Sequence, residues 1–328
     1  MGVHDYAHDY ARLSFKHQRI ERIEESTMSK PSGLIAAVHT PVTSDFQLNL
    51  DVVEQQAELL LSNGCTGSYV AGTTGECHSL TCKQRLDLAQ RWYDVIHETS
   101  LYQINHVGSN ILSESVELAA HSESLGIDGI AAMAPCFFRP TSVDELIAYL
   151  KPIADAAPST PLYFYDIPVM THVELSMVEL LERAETELPT LAGLKYTNDN
   201  LDQLQQIMGI NPDRYTILFG FDSILSSAWL YGVRGAVGGT YNWMSSIYIK
   251  IMEALESGDT ATAATLQKKT VDIITEVVRH HGFAPASKAI MKMYGVDCGP
   301  TLSPLTSLTD EEYTDLRNRL EAAGQFEL

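Results

Sequence analysis

The chain has 328 residues, and 22 Lys+Arg against 42 Asp+Glu give a formal charge of −20, with 45% hydrophobic and 20% charged residues. That apolar share supports a large core, and no window approaches the ~18 uninterrupted apolar residues of a membrane-spanning helix. So acidic a chain, without a Lys/Arg-rich run, repels nucleic-acid backbones and anionic lipid. Length leaves room for one α/β barrel or two smaller domains.

The five cysteines, Cys65, Cys77, Cys82, Cys136 and Cys298, form no Cys-x-x-Cys pair. Their sparseness fits a reducing, cytoplasmic setting. Residues 1–30 are polar and lack the apolar stretch of a secretory signal. They read as a disordered or loosely attached extension, ahead of a start at Met28. The two His-Asp-Tyr copies at His4 and His8 carry ligand-type side chains but read as tail rather than metal site.

From Gly33 onward, short β-branched or apolar runs alternate with stretches of helical apolar spacing. Strands are expected at 34–42, 68–72, 103–108, 129–135, 161–168, 191–197, 216–222 and 235–241. Helices are expected at about 50–62, 81–98, 113–125, 142–156, 174–186, 199–210, 223–231 and 244–257. Thr81-x-x-Gln84 and Ser142-x-x-Glu145 have capping-box spacing and mark helix starts.

Eight such units with near-continuous apolar strands predict a parallel sheet closed into a (β/α)8 TIM barrel of the α/β class. An open doubly wound sheet is the competing arrangement. A helical tail follows: 259–281, then about 284–295, then a start at Thr309-x-x-Glu312. The expected organisation is an extension over 1–30, a catalytic barrel over 31–257 and a C-terminal helical subdomain over 258–328.

In a barrel the strand ends converge on one site. Strand two ends in Gly72-Thr73-Thr74-Gly75-Glu76, where glycines admit a ligand and N–H groups with hydroxyls hold a carboxylate; the alternative is a tight turn whose threonines cap a helix. Strand six carries Lys195 among apolar residues, and burying an unpaired ammonium is costly. Either it sits in a buried ion pair, or its amine is tuned downward and attacks a ketone carbon to form a Schiff base.

A protonated imine is an electron sink that lets the C3–C4 bond of a 2-oxo acid break without a metal. The 4-hydroxyl then needs a base, and Tyr165 at the end of strand five is the right type of group if a cationic imine lowers its pKa. Without the lysine it would read as core.

The motifs Gly72-Thr73-Thr74-Gly75-Glu76, Tyr165-x-Ile167-Pro168 and Gly193-Leu194-Lys195-x-Thr197 resemble the dihydrodipicolinate synthase / N-acetylneuraminate lyase family in order and spacing. The likeness runs from about Gly33 to about Leu320. It includes HVGS (106–109), DGIAAMAP (128–135), GAVGGTYN (235–242) and SKAIMKMYG (287–295), and GLKYTNDNL, LFGFD and KAIM lean towards the lyase branch.

The resemblance implies a homotetrameric class I aldolase that cleaves N-acetylneuraminate to N-acetylmannosamine and pyruvate with no cofactor or metal. In it Lys195 forms the Schiff base and Tyr165 acts as acid/base. Thr73 and Thr74 hold the pyruvyl carboxylate, with Thr74 counted among the catalytic groups, and Thr197, Gly220 and Asp222 line the sugar site.

Some positions depart from the family pattern. Met170 stands where the synthase branch places an arginine, which disfavours lysine biosynthesis. Ser223 and Gly239 stand where sialate lyases usually have glutamate and serine towards the sugar's glycerol tail. That leaves another 2-keto-3-deoxy sugar acid aldolase or dehydratase as the alternative, while Asp166 offers compensation. Phe137 occupies a stretch where many members offer a tyrosine to a neighbouring subunit. A non-catalytic 2-oxo acid sensor on the same barrel is the reading from another class.

The remaining ligand-type residues read as structural. His39 and His106 are expected as hydrogen-bonded core histidines in strands one and three. Cys77-His78 with Cys82 lacks zinc spacing, and His280-His281 is expected to meet a helix C-terminal dipole.

Overall fold

The computed structural model describes residues 30–327. The expected extension over 1–30, with its His-Asp-Tyr copies and Met28, lies outside the described residues apart from Lys30.

Eight strands alternate with helices from Gly33 onward. These are β1 (Gly33–Ala37), α1 (Val52–Ser62), β2 (Gly67–Val70), α2 (Cys82–Ile96), β3 (Tyr102–His106), α3 (Leu112–Leu125), β4 (Gly129–Met133) and α4 (Val143–Ala156). They continue with β5 (Leu162–Asp166), α5 (Met177–Glu187), β6 (Leu191–Tyr196), α6 (Leu201–Met208), β7 (Thr216–Phe219), α7 (Leu225–Leu230), β8 (Gly235–Gly238) and α8 (Tyr241–Glu256).

Each strand pairs in parallel with the next, and β8 returns to β1 through Gly33↔Gly235 to Ala36↔Gly238. That closing pair replaces the open sheet by the barrel. Side chains alternate across a strand. Leu34, Ala36, Phe164, Leu194 and Phe219 therefore pack outward in the core shared with the helices. Ile35, Ala37, Tyr69, Ile104, Met133, Tyr163, Tyr165, Leu218 and Val237 fill the barrel interior.

Three further helices follow: α9 (Thr260–Val277), α10 (Phe283–Met293) and α11 (Asp310–Ala322). Reciprocal capping boxes start α2 at Thr81/Gln84 and α11 at Thr309/Glu312. The third expected box is only half formed. Ser142 accepts from the Glu145 N–H, but the Glu145 carboxylate turns to the N–H and hydroxyl of Thr141 instead of the Ser142 N–H.

Two other expectations are corrected. Strand one stops at Ala37 rather than running to 42, so His39 lies beyond it in the loop towards α1. Helix α9 ends at Val277, and His280 and His281 do not serve its dipole: their Nε2 atoms lie 2.9 Å from Asp315 and 3.0 Å from Glu312 of α11. The pair fastens the last helix.

Helix α10 is seated where β1 and β2 end, against His39 and Glu76. Trp243 Nε1 donates to Ser287 Oγ at 2.8 Å, which leaves the serine proton for His39 Nε2, also at 2.8 Å. His39 is therefore a neutral acceptor, and burial holds its imidazole down at about 3. Next along the helix, Lys288 Nζ lies 2.7 Å from Glu76 in an almost fully buried ion pair and also donates to the Pro300 carbonyl at 2.8 Å.

Candidate active site

Lys195 and Tyr165 face each other across β6 and β5 as register partners. Lys195 is only 3% exposed. Its Nζ lies 3.9 Å from the ring centroids of both Tyr69 and Tyr165, a two-ring clamp reaching from β2 and β5. Burial lowers this amine to about 7, while the Asp222 carboxylate and Cys77 push weakly the other way. The aromatic faces attract the charged form, yet no carboxylate lies within ion-pair distance of Nζ among the described residues, so a large neutral fraction is available for nucleophilic attack.

The Tyr165 hydroxyl lies 3.2 Å from Thr73 Oγ1. Burial raises this phenol above its ordinary value, and the Thr73 hydrogen bond pulls back against the rise. Thr197 pulls the same way, although its hydroxyl makes no hydrogen bond of good geometry. In the protein alone the phenol is therefore harder to ionise, and the lowering expected from the sequence depends on a cation forming at Lys195.

The Gly72–Gly75 turn is held from several sides. Ala71 and Glu76 both sit in left-handed backbone, φ 53° and 57°, on either side of the Gly72–Gly75 turn. Non-glycine residues persist there only where surroundings over-determine them. His106 Nδ1 lies 3.1 Å from the Ala71 carbonyl, Thr40 Oγ1 donates to the Gly75 carbonyl at 2.6 Å, and the Glu76 carboxylate accepts the Leu302 N–H and binds Lys288. Thr73 and Thr74 are thus presented between fixed ends at the mouth of the barrel.

The expected sugar-side residues gather at the ends of β6, β7 and β8. A Cβ on Gly220 would stand 1.9 Å from Thr197 Oγ1, so only glycine lets these two strands meet as they do. The Asp222 carboxylate accepts from the Thr240 N–H at 3.1 Å and hydroxyl at 2.6 Å, and burial raises it despite both bonds. Ser223 is half-buried in the turn after Asp222. A Cβ on Gly239 would stand 2.6 Å from the Phe283 ring.

Asp166 does not join this group. It points outward, accepts from Asn198 at 3.0 Å and is raised by burial to about 6. It lines a cavity of about 960 Å³ with Pro168, His172 and Gln203, whose walls include neither Ser223 nor Gly239. The compensation expected of it is corrected: strand alternation sends Tyr165 inward and Asp166 away. Phe137 is exposed on the loop after β4 and Met170 on the one-turn helix Pro168–Thr171 after β5.

Five contributors to the site were not anticipated. Tyr69 was legible only as one more apolar strand residue. His106 ends β3 inside the barrel, 5.8 Å from the Tyr165 ring, and Arg85 of α2 donates to the carbonyls of His106 and Gly108 at 2.6 and 3.0 Å. Burial, then the Arg85 charge, hold His106 well below its ordinary value, so it stays neutral. Phe283 and Lys288 come from α10, far along the chain.

A model of the dihydrodipicolinate synthetase family matches residues 30–323. The N-acetylneuraminate lyase of Gallus gallus is 37% identical over 297 residues, spanning 89% of this chain and 96% of its own. The N-acetylneuraminate lyase of Homo sapiens is 37% identical over 289 residues, spanning 87% and 90%. Among solved structures, Proteus mirabilis N-acetylneuraminate lyase superposes with a TM-score of 0.87 at 34% identity, over 90% of this chain and 99% of that one. The chain belongs to the dihydrodipicolinate synthetase family.

Proposed function

We propose that the protein is a class I aldolase that cleaves N-acetylneuraminate to N-acetylmannosamine and pyruvate. The observation that carries this reading is Lys195, buried between two tyrosine rings with its amine lowered to about 7 and Tyr165 bonded to the loop that presents Thr73. Relatives named N-acetylneuraminate lyase in birds and mammals support it.

The 2-oxo acid enters with its carboxylate on the Thr73 and Thr74 hydroxyls and neighbouring N–H groups. Lys195 Nζ attacks C2, and loss of water gives the protonated imine. Its positive charge stands beside Tyr165 and favours the phenolate, which takes the proton of the 4-hydroxyl. The C3–C4 bond breaks, its electron pair flows into the imine, and the aldehyde leaves. Tyr165 returns the proton to C3 of the enamine, water hydrolyses the imine, and pyruvate departs from a free Lys195. The imine is the electron sink, so the cycle calls for no metal or cofactor.

Trapping tests this directly. Incubation with pyruvate and borohydride is expected to add one 1-carboxyethyl group, from hydride reduction of the pyruvate imine, located at Lys195 by peptide mass. An unmodified chain, or an adduct elsewhere, overturns the mechanism.

Ser223 and Gly239 favour a second reading, in which the substrate is another 2-keto-3-deoxy sugar acid on the same imine chemistry. Pyruvate release across a panel of sugar acids separates the two. The protein is further read as a cytoplasmic homotetramer. Ile111, Phe137, Phe138, Val169 and Met170 are exposed apolar side chains on the connections that follow β3, β4 and β5, which supports subunit contact at that end. Light scattering on the purified protein gives the mass.

A further inference from the structure

We infer that Phe283 is a specificity-determining residue: its ring forms an apolar wall of the substrate cleft at the β8 edge, favouring a substrate tail that is shortened or apolar there over one with free hydroxyls. This rests on the imine aldolase reading above, sides with its second substrate, and says which tails that site takes.

The wall is defined by the space it fills. A Cβ on Gly239 would lie 2.6 and 2.8 Å from Phe283 Cε1 and Cζ, closer than real contacts allow, and 3.0 Å from Thr74 Oγ1. The ring therefore occupies the volume of any side chain at 239, next to the hydroxyl assigned to the substrate carboxylate. A substrate fixed at Lys195 and Thr74 whose tail runs towards β8 passes this ring.

The ring is also held in place. It packs against the main core, at the head of a helix fixed by Ser287 to His39 and Trp243 and by Lys288 to Glu76. Neither an aromatic edge nor Gly239 offers a side-chain hydrogen-bond partner, and the Gly239 carbonyl already accepts from Asn242 at 2.8 Å. A tail hydroxyl that loses water against them gains nothing in return, and such an unpaired group lowers kcat/KM by about tenfold or more. A methyl, an acyl ester or empty space loses nothing.

The test compares kcat/KM for N-acetylneuraminate and for an analogue shortened by two tail carbons, in the wild type, Phe283→Ala, Phe283→Leu and Gly239→Ser/Phe283→Ala. The wild type is expected to use the shortened analogue at least as well as the parent. Phe283→Ala is expected to move the ratio towards the parent by about tenfold, with a further gain in the double variant, whose serine supplies a hydroxyl.

Phe283→Leu keeps an apolar wall and is expected to stay near the wild-type ratio, which controls for a general packing defect. An unchanged ratio in both Phe283→Ala and the double variant overturns the proposal. Borohydride trapping with pyruvate is run on every variant. A wild type that is not trapped at Lys195 marks failure of the aldolase reading; trapped variants with an unmoved ratio mark failure of the wall.

Discussion

Lys195 and Tyr165 are register partners on adjacent strands, and the lysine Nζ lies 3.9 Å over the tyrosine ring while the phenol oxygen bonds Thr73 beyond it. One side chain thus covers the amine with its face and, in the proposed reaction, keeps its hydroxyl for proton transfer at the substrate.

That shelter works against stability. Because Lys195 is held at about 7 against an ordinary 10.5, the fold loses stability as pH falls from 10.5 towards 7, and the loss is complete below 7. Lys195→Met is expected to abolish trapping yet stabilise the fold by a few kcal/mol, on the order of 1.4 kcal/mol for each tenfold loss of proton affinity, less the lost ring contacts. Urea unfolding at pH 6 and pH 10 checks it. The gain belongs to pH 6 and should nearly vanish at pH 10; an equal gain at both contradicts the account.

Imine formation needs the neutral amine, so the single-turnover rate with pyruvate is expected to rise with pH up to about 7 and then level off. Below 7 it should fall about tenfold per pH unit. A rate flat down to pH 5 would mean that burial does not set this amine.

Tyr165→Phe keeps the ring over Lys195 and removes the proton carrier, so kcat for cleavage should fall by about 10²–10⁴. Thr73→Val leaves the phenol but removes the bond that pulls its pKa down. It should cost less in kcat and shift the phenol-dependent limb of the pH–rate profile upward. An unmoved profile in Thr73→Val denies the coupling.

Lys288→Met strands the buried Glu76 carboxylate and is expected to destabilise the protein by about 3–5 kcal/mol. Glu76→Gln/Lys288→Met removes both charges and should recover most of that. Denaturant melts of the single and double variants decide; equal losses would show that the pair does not act as a pair.

The barrel was legible because short apolar runs and amphipathic helices repeat. The buried lysine was legible because an ammonium is costly to bury in an apolar strand unless it is paired or put to chemical use. Alternation then places Tyr165 beside it and carries Asp166 to the outside, a consequence readable only once strand five is fixed in phase. Tyr69 was not legible as a clamp, since an aromatic in a strand looks the same whether it packs on leucine or on an amine. Phe283 and Lys288 act across a gap in sequence that no local pattern bridges. The His280–His281 reading failed because the helix stops at Val277, and the carboxylates that take up both rings lie on a later helix.

The Glu76–Lys288 link also sets an order of events. The turn that presents Thr73 and Thr74 is made early in synthesis, but the lysine that fixes its left-handed corner leaves the ribosome only after all eight strands. A nascent barrel emerges with this turn still lacking one of its ties, and the ion pair closes when α10 docks. The helical tail thus completes the hold on the turn that carries Thr73 and Thr74, and a stop codon after α8 would leave the Glu76 carboxylate without its lysine.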